Sequence, residues 1–335
     1  MAFDELLGSH APPERRIPVM LAPMSGITDV AFRRIAIRFG ADFVVSEMVA
    51  AQGLVRGEEE ARLRSEGEGV LPHIVQLAGR NPAWMAEAAR LAQGAGASVI
   101  DINLGCPAKK VTGGLAGSAL MREPDLALRI IEAVVAAAQV PVTVKMRLGW
   151  DGASPNAPQI AARAAEAGIA AVTVHGRTRQ QFYQGSADWR AIAATVAACR
   201  VPVIANGDIL DEASARAALG LSGAAGVMVG RATLGQPWLA GRLSRALNGL
   251  APDEPGLAEK RDAAIEHYEG MLALYGRRMG VRHARKHLAA YADRAAEAGG
   301  GLPAALRAEL VTTDDPSRVL VLLEGLGMAD ARRAA

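Results

Sequence analysis

The sequence predicts an α/β protein, a (β/α)8 TIM barrel followed by a C-terminal all-helical domain. Short apolar runs alternate eight times with Ala-rich helical stretches over the first 250 residues, and such alternation implies a parallel sheet. The runs carry no polar face, which is typical of strands that are buried on both sides. The runs stop after residue 250, so the barrel is predicted to end there.

Each strand is predicted from a β-branched run, and each helix from the Ala-rich stretch that follows it. Asp29, Pro82 and Pro124 stand where three of the helices begin. The segment 55–69 is charged and irregular, and no element is predicted there. The predicted strands span 17–22, 43–46, 73–77, 98–103, 141–146, 171–175, 201–205 and 226–230; the predicted helices span 29–39, 82–93, 124–138, 157–167, 211–219 and 237–247, with one more starting at 188.

An open, doubly wound sheet is the alternative to the barrel. That fold needs a glycine-rich fingerprint directly after its first strand. The residues at 22–26 are Ala-Pro-Met-Ser-Gly, which is no such fingerprint. Eight strand–helix units therefore favour the barrel.

The second domain is predicted from a change in pattern. Residues 251–256, Ala-Pro-Asp-Glu-Pro-Gly, are typical of a linker. Beyond it, helices are predicted over 257–275, 281–298, 303–310 and 316–323. We therefore expect a catalytic barrel over residues 1–250 and a small helical bundle over 251–335.

Composition excludes several classes of protein. The 335 residues include 37 Lys and Arg against 35 Asp and Glu, and half of the chain is hydrophobic, so the chain is neither globally disordered nor polybasic. Aromatic residues make up 4%, which argues against recognition built mainly on stacking platforms. Segment 1–10 carries acids and no long apolar stretch. We expect no secretory signal, no membrane span and a cytoplasmic protein.

Two cysteines, Cys106 and Cys199, are too few for a disulfide framework or a structural zinc site, and no metal is expected. Cys199 lies in an Ala-rich stretch and is predicted to be a core residue. Cys106 lies in the turn Gly105-Cys106-Pro107, which is typical of a presented side chain. An ordinary thiol is mostly protonated near neutral pH, so Cys106 is a candidate proton donor.

Polar or unusual residues close almost every predicted strand. Because a TIM barrel carries its chemistry at the C-terminal ends of its strands, these residues indicate a functional centre. The alternative, that strand ends are polar because they meet water, accounts for Glu47 and Arg147 but less well for the others. The strand-end residues are Pro23, Met24, Glu47, Gln76, Asn103, Cys106, Lys145, Arg147, His175, Arg177, Asn206, Gly207, Asp208, Gly230 and Arg231.

The ends of strands seven and eight, Asn206-Gly207-Asp208 and Gly230-Arg231, suit a phosphate, although two ordinary glycine turns are the alternative. Lys145 closes the fifth strand and indicates either a Schiff base or a point charge for an anionic ring. His175 closes the sixth, where a satisfied core histidine is the alternative. The glycine-rich loop 108–118, with Lys109 and Lys110, is a candidate lid.

Six short motifs carry a resemblance to a known family. The motifs, in chain order, are Ala-Pro-Met-Ser-Gly-Ile-Thr-Asp at 22–29, Gln-Leu-Ala-Gly at 76–79, Asn-Leu-Gly-Cys-Pro-Ala-Lys-Lys at 103–110, His-Gly-Arg-Thr at 175–178, Asn-Gly-Asp at 206–208 and Gly-Arg at 230–231. Together they resemble the flavin-dependent tRNA-dihydrouridine synthases, and most the bacterial B-type branch, over residues 15–300.

The resemblance implies an FMN enzyme that uses NADPH to reduce the C5–C6 bond of a D-loop uridine in tRNA. It implies hydride transfer to C6 and protonation of C5 by Cys106. It places Lys109, Arg147 and Arg177 near the substrate, and Asn103 in contact with the flavin or the uracil. The FMN contacts that it implies are Pro23, Met24, Ser25, Gln76, Lys145, His175, Asn206, Gly207, Asp208, Gly230 and Arg231.

The segment 277–294 holds six basic residues and one acid, a net charge of +5. Arg282, Arg285 and Lys286 are spaced to lie on one helical face. With the resemblance they are interpreted as a tRNA contact surface, whereas a solvated basic face is the alternative. We expect a monomer.

Two other functions stay open at this point. The first is an FMN-dependent reductase of a free pyrimidine. The second is a non-catalytic, tRNA-binding regulatory protein.

Overall fold

The computed structural model describes residues 16–113 and 115–327. The expectations about segment 1–10, Gly114 and residues 328–335 lie outside that part of the chain, as does the side chain of Lys110.

A closed barrel of eight parallel strands forms the first part of the molecule. Each strand pairs with the next around the ring, and β2 closes it by pairing with both β1 and β4. The closure confirms the barrel and rules out the open sheet. The described strands are β1 Val19–Leu21, β2 Phe43–Val45, β3 Val49–Ala50 (a short extension paired with β4), β4 His73–Ala78, β5 Val99–Leu104, β6 Val142–Arg147, β7 Ala171–His175, β8 Val203–Asn206 and β9 Gly226–Val229.

The helices lie between the strands and after them. Helix α1 begins where the sequence predicts, because the carboxylate of Asp29 accepts the N–H of Phe32 at 3.0 Å. The described helices are α1 Val30–Arg38, α2 Ala51–Val55, α3 Glu59–Ser65, α4 Pro82–Gly94, α5 Lys109–Gly113, α6 Pro124–Ala137, α7 Ala157–Glu166, α8 Trp189–Ala198, α9 Glu212–Ser222, α10 Leu239–Leu247, α11 Leu257–Glu297, α12 Ala304–Thr312 and α13 Pro316–Glu324.

The prediction of an irregular segment over 55–69 is wrong for its middle part. Helix α3 forms there, with Glu59 and Glu60 in its first turn and Arg62 and Arg64 in its last. This arrangement of charges suits the helix dipole. Arg64 also pairs with Glu60 one turn earlier, at 2.7 Å.

The barrel interior changes from apolar to polar along its axis. Apolar side chains from seven of the strands fill the lower part, including Phe43, Ile74 and Met228. Above them the β4, β5 and β6 register aligns Gln76 with Asp101 and Asp101 with Thr143. The buried polar side chains therefore begin about halfway up and point towards the C-terminal end of the barrel.

The helical region differs from its prediction in one respect. The two helices predicted over 257–275 and 281–298 are one element, α11, with non-helical dihedrals at Gly276. The φ of Gly276 is +70°, a left-handed conformation that favours glycine. The predicted break is therefore a kink within α11, and α12 and α13 pack against the same helix.

Helix α11 crosses α1 of the barrel at short range. A Cβ atom at Gly270 would lie 2.5 Å from the Cβ of Ala31, so glycine permits this approach. Ile35 of α1 shares a buried apolar cluster with residues of all three helices of this region. The barrel and the helical region are therefore joined by a continuous hydrophobic contact.

A buried polar cluster also lies at this contact. His267 Nε2 is 3.2 Å from Asp29 Oδ2, and His267 Nδ1 is 3.1 Å from the hydroxyl of Tyr291. His287 Nε2 is 3.2 Å from the carbonyl oxygen of Gly26. Burial of Asp29 would raise the pKa of its carboxyl, but the two histidines and the Phe32 N–H lower it overall.

Asp29, His267 and His287 offer ligand atoms within 4.8 Å of one another, a spacing at which a cation could bind. The same atoms are engaged in contacts with one another and with the carbonyl oxygen of Gly26. The expectation that the protein binds no metal stays a prediction. No helix in ranges 16–113 and 115–327 is long and apolar enough to cross a membrane.

We expect Asp29→Ala to lower the free energy of unfolding by about 3 kcal/mol, because it removes a helix cap and leaves the buried Nε2 of His267 without its partner. Urea denaturation followed by circular dichroism measures the loss. Asp211→Ala is the matched control, since Asp211 caps α9 through Ser214 at the surface and its loss removes about 1 kcal/mol. Equal losses in the two variants would contradict a role of the buried cluster in stability.

Candidate active site

A cavity of about 360 Å³ opens at the C-terminal ends of the strands. It lies where the sequence predicts the functional centre, and nine of the eleven predicted cofactor residues line it. The lining residues include Ala22, Pro23, Met24, Lys145, His175, Tyr183, Asn206, Gly207, Asp208, Leu210, Gly230, Arg231 and Arg294.

The other two predicted cofactor residues do not line this cavity. Ser25 accepts a hydrogen bond from Arg64 at 3.0 Å, on the side of α3. Gln76 is buried in the barrel below the strand ends. Their contact with a cofactor stays a prediction.

Lys145 brings a half-buried cation to the floor of the cavity. Its Nζ donates to Asn206 Oδ1 at 3.0 Å, and the amide of Asn206 donates to the carbonyl oxygen of Met228 at 2.7 Å. Burial and the neighbouring Arg147 lower the pKa of Lys145 to about 8. An anionic group in the cavity would offset both effects and hold Lys145 in its charged form.

His175 is neutral in this site. Burial, followed by the charges of Lys145, Arg147 and other cations, lowers its pKa to about 2. Arg177 Nη1 lies 3.3 Å from His175 Nε2, so Nε2 accepts and the single ring proton is at Nδ1. Gly207, with φ +113°, lets the ring lie close, because a Cβ there would be 2.8 Å from it.

Asp208 joins two arginines at the rim of the cavity. Its Oδ1 accepts from Arg177 at 3.0 Å and from Arg231 at 3.3 Å. Burial would raise the pKa of Asp208, but the hydrogen bond and charge of Arg177 lower it overall. Arg231 remains 58% exposed, so its guanidinium is free to meet an anion at the mouth.

A chain of hydrogen bonds runs upward from the buried carboxylate of Asp101. Thr143 Oγ1 donates to it at 2.6 Å and Gln76 Nε2 at 2.7 Å. Gln76 Oε1 accepts from Asn103 Nδ2 at 2.7 Å, and Asn103 Oδ1 accepts from the N–H of Cys106 at 2.9 Å. Burial raises the pKa of Asp101, while its donors and Lys145 oppose that rise.

Both oxygens of the Asp101 carboxyl accept hydrogen bonds, from Thr143 and from Gln76, and this arrangement sets the direction of the amides above it. Gln76 must turn its NH2 group downward, and Asn103 must then turn its oxygen towards the Cys106 turn. Sequence analysis missed both Asp101 and Thr143. The signal was available for Asp101, because a lone acid in the apolar strand β5 is a buried polar residue that needs partners.

Cys106 stands half-buried at the top of this chain. Its carbonyl oxygen accepts from Ser118 twice, at 3.1 Å from the N–H and at 2.8 Å from the hydroxyl. Lys145 and Arg147 both interact electrostatically with Cys106. The thiol therefore sits on a held turn beside two cations.

Cys199 packs at the edge of the core, whereas the sequence predicts a place within it. It is half-buried against the main apolar core, and its thiol lies 3.6 Å from the carbonyl oxygen of Ala161.

Arg147 and Arg177 are 2% exposed and hold loops rather than project into the cavity. Arg147 donates to the carbonyl oxygens of Gly105, Thr178 and Phe182, at 2.8–2.9 Å. Their predicted contact with substrate stays a prediction, as does that of Lys109, which begins α5 and is exposed.

The three predicted tRNA contacts on α11 separate in the structure. Arg282 and Lys286 are exposed, whereas Arg285 is half-buried and pairs with Asp314 at 2.9 Å. The ammonium of Lys286 reaches the barrel mouth, where a Cβ at Gly26 would lie 2.4 Å from it. One edge of α11 thus brings positive charge to the rim of the cavity.

We expect Asp101→Asn to make the thiol of Cys106 react faster with iodoacetamide, by several-fold. Asparagine offers both a donor and an acceptor, so the amides of Gln76 and Asn103 are free to reverse and release the turn. Mass spectrometry of timed samples measures the rate.

Cys199 provides the internal control in the same sample, since it lies outside the hydrogen-bond chain and its rate should not change. An unchanged rate at Cys106 would show that Asp101 does not hold the turn.

The dihydrouridine synthase family model matches residues 20–320 of this chain. A probable tRNA-dihydrouridine synthase of Rhodobacter capsulatus is 57% identical over 309 residues, which cover 91% of this chain and 93% of that protein. A second, of Rhizobium leguminosarum bv. phaseoli, is 52% identical and covers 95% of this chain and 98% of its own. The tRNA-dihydrouridine synthase B of Xanthomonas axonopodis pv. citri is 48% identical, with 82% and 83% covered. With its motifs on a closed barrel, the chain belongs to the dihydrouridine synthase family.

Proposed function

We propose that this protein is a tRNA-dihydrouridine synthase that reduces the C5–C6 double bond of a D-loop uridine, with FMN as cofactor and NADPH as reductant. The observation that carries the proposal is that Lys145 and His175 line one cavity at the end of the barrel, with the Cys106 turn next to Lys145, in a chain of this family. The enzyme acts on tRNA, so we also propose a cytoplasmic location.

The cavity suits FMN by its shape and by its donors. A Cβ at Gly230 would face the cavity and meet only Ala22 and Met24, at 3.7 Å, so glycine leaves room for a bound group. Arg231 and the backbone at Gly207 and Gly230 would hold the phosphate. Lys145 would hold the negative charge of the ring system through its ammonium. The donor set therefore matches an anionic, phosphate-bearing cofactor.

When bound, FMN supplies the hydride, which it receives from NADPH. The side chains around it position and polarise the reactants. His175, neutral and protonated at Nδ1, offers one N–H donor without adding charge. Asn206 orients the ammonium of Lys145 through the 3.0 Å contact.

Cys106 supplies the proton in this proposal. As hydride reaches C6 of the uracil, a C–H bond forms at C5 and the S–H bond of Cys106 breaks. The sulfur is left as a thiolate beside Lys145 and Arg147, whose charges stabilise it until solvent returns the proton. The Asp101 chain keeps the sulfur in place during this step.

The target base must leave its stack to enter the cavity, which costs a few kcal/mol. We propose that residues 251–335 form a tRNA-binding domain that orients the RNA at the barrel mouth, with residues 1–250 as the catalytic domain. Lys286 and Arg294 support this, because both side chains of α11 reach the mouth. Lysine and arginine side chains at such a surface contact the phosphates of the RNA, and these contacts do not depend on the nucleotide sequence.

The two alternative functions are weaker for specific reasons. A reductase of a free pyrimidine needs no basic helix at its mouth. A non-catalytic tRNA-binding protein needs neither Lys145 at the floor of the cavity nor the oriented Cys106 turn. Reduction of free uracil as fast as tRNA would favour the first alternative, and a purified protein without flavin absorbance would favour the second.

We expect Cys106→Ala to retain FMN and to oxidise NADPH at the wild-type rate. The rate of dihydrouridine formation should fall by at least about 100-fold, since only the proton donor is removed. Stopped-flow absorbance measures the flavin half-reaction, and mass spectrometry of digested tRNA measures dihydrouridine. Cys199→Ala is the matched control and should behave as wild type in both. Undiminished dihydrouridine in the Cys106→Ala variant would remove Cys106 from the proton-donor role.

We expect Lys286→Glu to weaken tRNA binding. The slope of log Kd against log salt concentration should fall by about 1, which corresponds to the loss of one phosphate contact. Filter binding of an unmodified tRNA transcript across a salt series measures both quantities.

The matched control is Arg90→Glu, because Arg90 is exposed on α4, on the outer surface of the barrel. If Lys286→Glu kept the wild-type Kd and salt slope, Lys286 would not be part of the tRNA surface.

A further inference from the structure

Exposed aromatic side chains are confined to one place in the described part of the chain. Phe182 and Tyr183 are 43% and 44% exposed, and every other described Phe, Tyr or Trp is buried or half-buried. The two rings contact each other edge to face, with centroids 4.8 Å apart. They lie in the loop after β7, and Tyr183 lines the cavity at the barrel mouth.

This loop is held by buried cations from below. Arg147 donates to the carbonyl oxygen of Phe182 at 2.9 Å, and Arg177 donates to those of Gln184 and Gly185, at 3.2 and 2.6 Å. Arginines buried this deeply and bonded to backbone fix the path of the loop. The rings are therefore kept at the surface and cannot collapse into the core.

Two features make this exposure costly. Phe182 has a φ of +53°, in the left-handed region that residues with a Cβ seldom adopt. Exposed rings also forgo the free energy of burial. Unfavourable features that the surrounding structure holds in place occur often at binding sites.

Positive charge surrounds the same rings. The guanidinium of Arg231 lies 4.6 Å from the centre of the Tyr183 ring, and that of Arg147 lies 5.6 Å from it. The acid of this rim, Asp208, is already paired with Arg177 and Arg231. An exposed pair of rings in a basic rim suits an unstacked strand of RNA, because its planar bases can stack on the rings and its phosphates can contact the cations.

We propose that Phe182, supported by Tyr183, is a stacking platform for an unpaired nucleobase of the RNA substrate beside the base that enters the cavity. The inference rests on the proposed function for the identity of the RNA. When one base leaves its stack, its neighbour loses a stacking partner, and an aromatic ring at the mouth replaces that contact. The platform would thus offset part of the cost of extracting the target.

The test uses the full-length FMN-bound protein, an unmodified tRNA transcript, and the variants Phe182→Leu and Phe182→Tyr. We expect Phe182→Leu to raise the Kd for tRNA about tenfold, since base–aromatic stacking is lost, and Phe182→Tyr to keep it. Flavin content and NADPH oxidation without tRNA should not change in either variant. Leu91→Ala is the matched control, because Leu91 is 42% exposed on α4, away from the mouth.

A second readout detects stacking directly and needs no turnover. A short oligouridylate carrying one 2-aminopurine should lose fluorescence on binding to the wild-type protein and keep it on binding to Phe182→Leu. Wild-type tRNA affinity in Phe182→Leu, or equal quenching by both proteins, would overturn the platform. A loss of FMN affinity with unchanged tRNA affinity would also overturn it, because the ring would then serve the cofactor.

Absence of dihydrouridine from tRNA treated with the wild-type protein and NADPH would contradict the proposed function. The binding and fluorescence measurements would still decide the platform in that case, so the two failures are distinguishable.

Discussion

The buried carboxyl of Asp101, which accepts from two donors, is the constraint on which the site depends. It lies inside the barrel, where an unpaired polar group is costly, so its two donors, Thr143 and Gln76, are held firmly. That contact orients Gln76, and through it Asn103 and the backbone of Cys106. The Cys106 turn, which lies on a loop, is thereby positioned by a group on a strand, and strands hold side chains more precisely than loops do.

A second buried polar group sets the relation between the barrel and the helical region. Asp29 caps α1 and also contacts His267 of α11, while His287 contacts the backbone at Gly26. Burial, then the neighbouring His267, lowers the pKa of His287 to about 3, so its ring stays neutral in this contact. The same helix carries Lys286 and Arg294, so the polar contact and the close approach at Gly270 together bring its charges to the mouth of the cavity.

Arginine has two separate uses around the mouth. Arg147 and Arg177 are buried and bond to loop carbonyl oxygens, whereas Arg231 stays exposed beside Asp208 and Tyr183. The buried pair fixes the loop after β7 and lowers the pKa of His175, whereas Arg231, although paired with Asp208, stays accessible to an anion at the mouth. A near-neutral chain thus concentrates positive charge at the mouth of its cavity.

The sequence by itself determined the barrel, its strand ends and the family, because apolar periodicity and motif order are local properties of the chain. It also identified Cys106, Lys145 and His175 as candidates. Tertiary structure alone decided which polar groups contact each other. Asp101 contacts Gln76, 25 positions away in the chain, and reaches Asn103 through it. On α11, Arg285 pairs with Asp314, whereas the neighbouring Lys286 lies against the barrel. The surroundings of two further residues were also decided by the tertiary structure. His175 is neutral because burial and nearby cations lower its pKa, and Phe182 is exposed on a loop that Arg147 holds; these neighbours are distant in sequence.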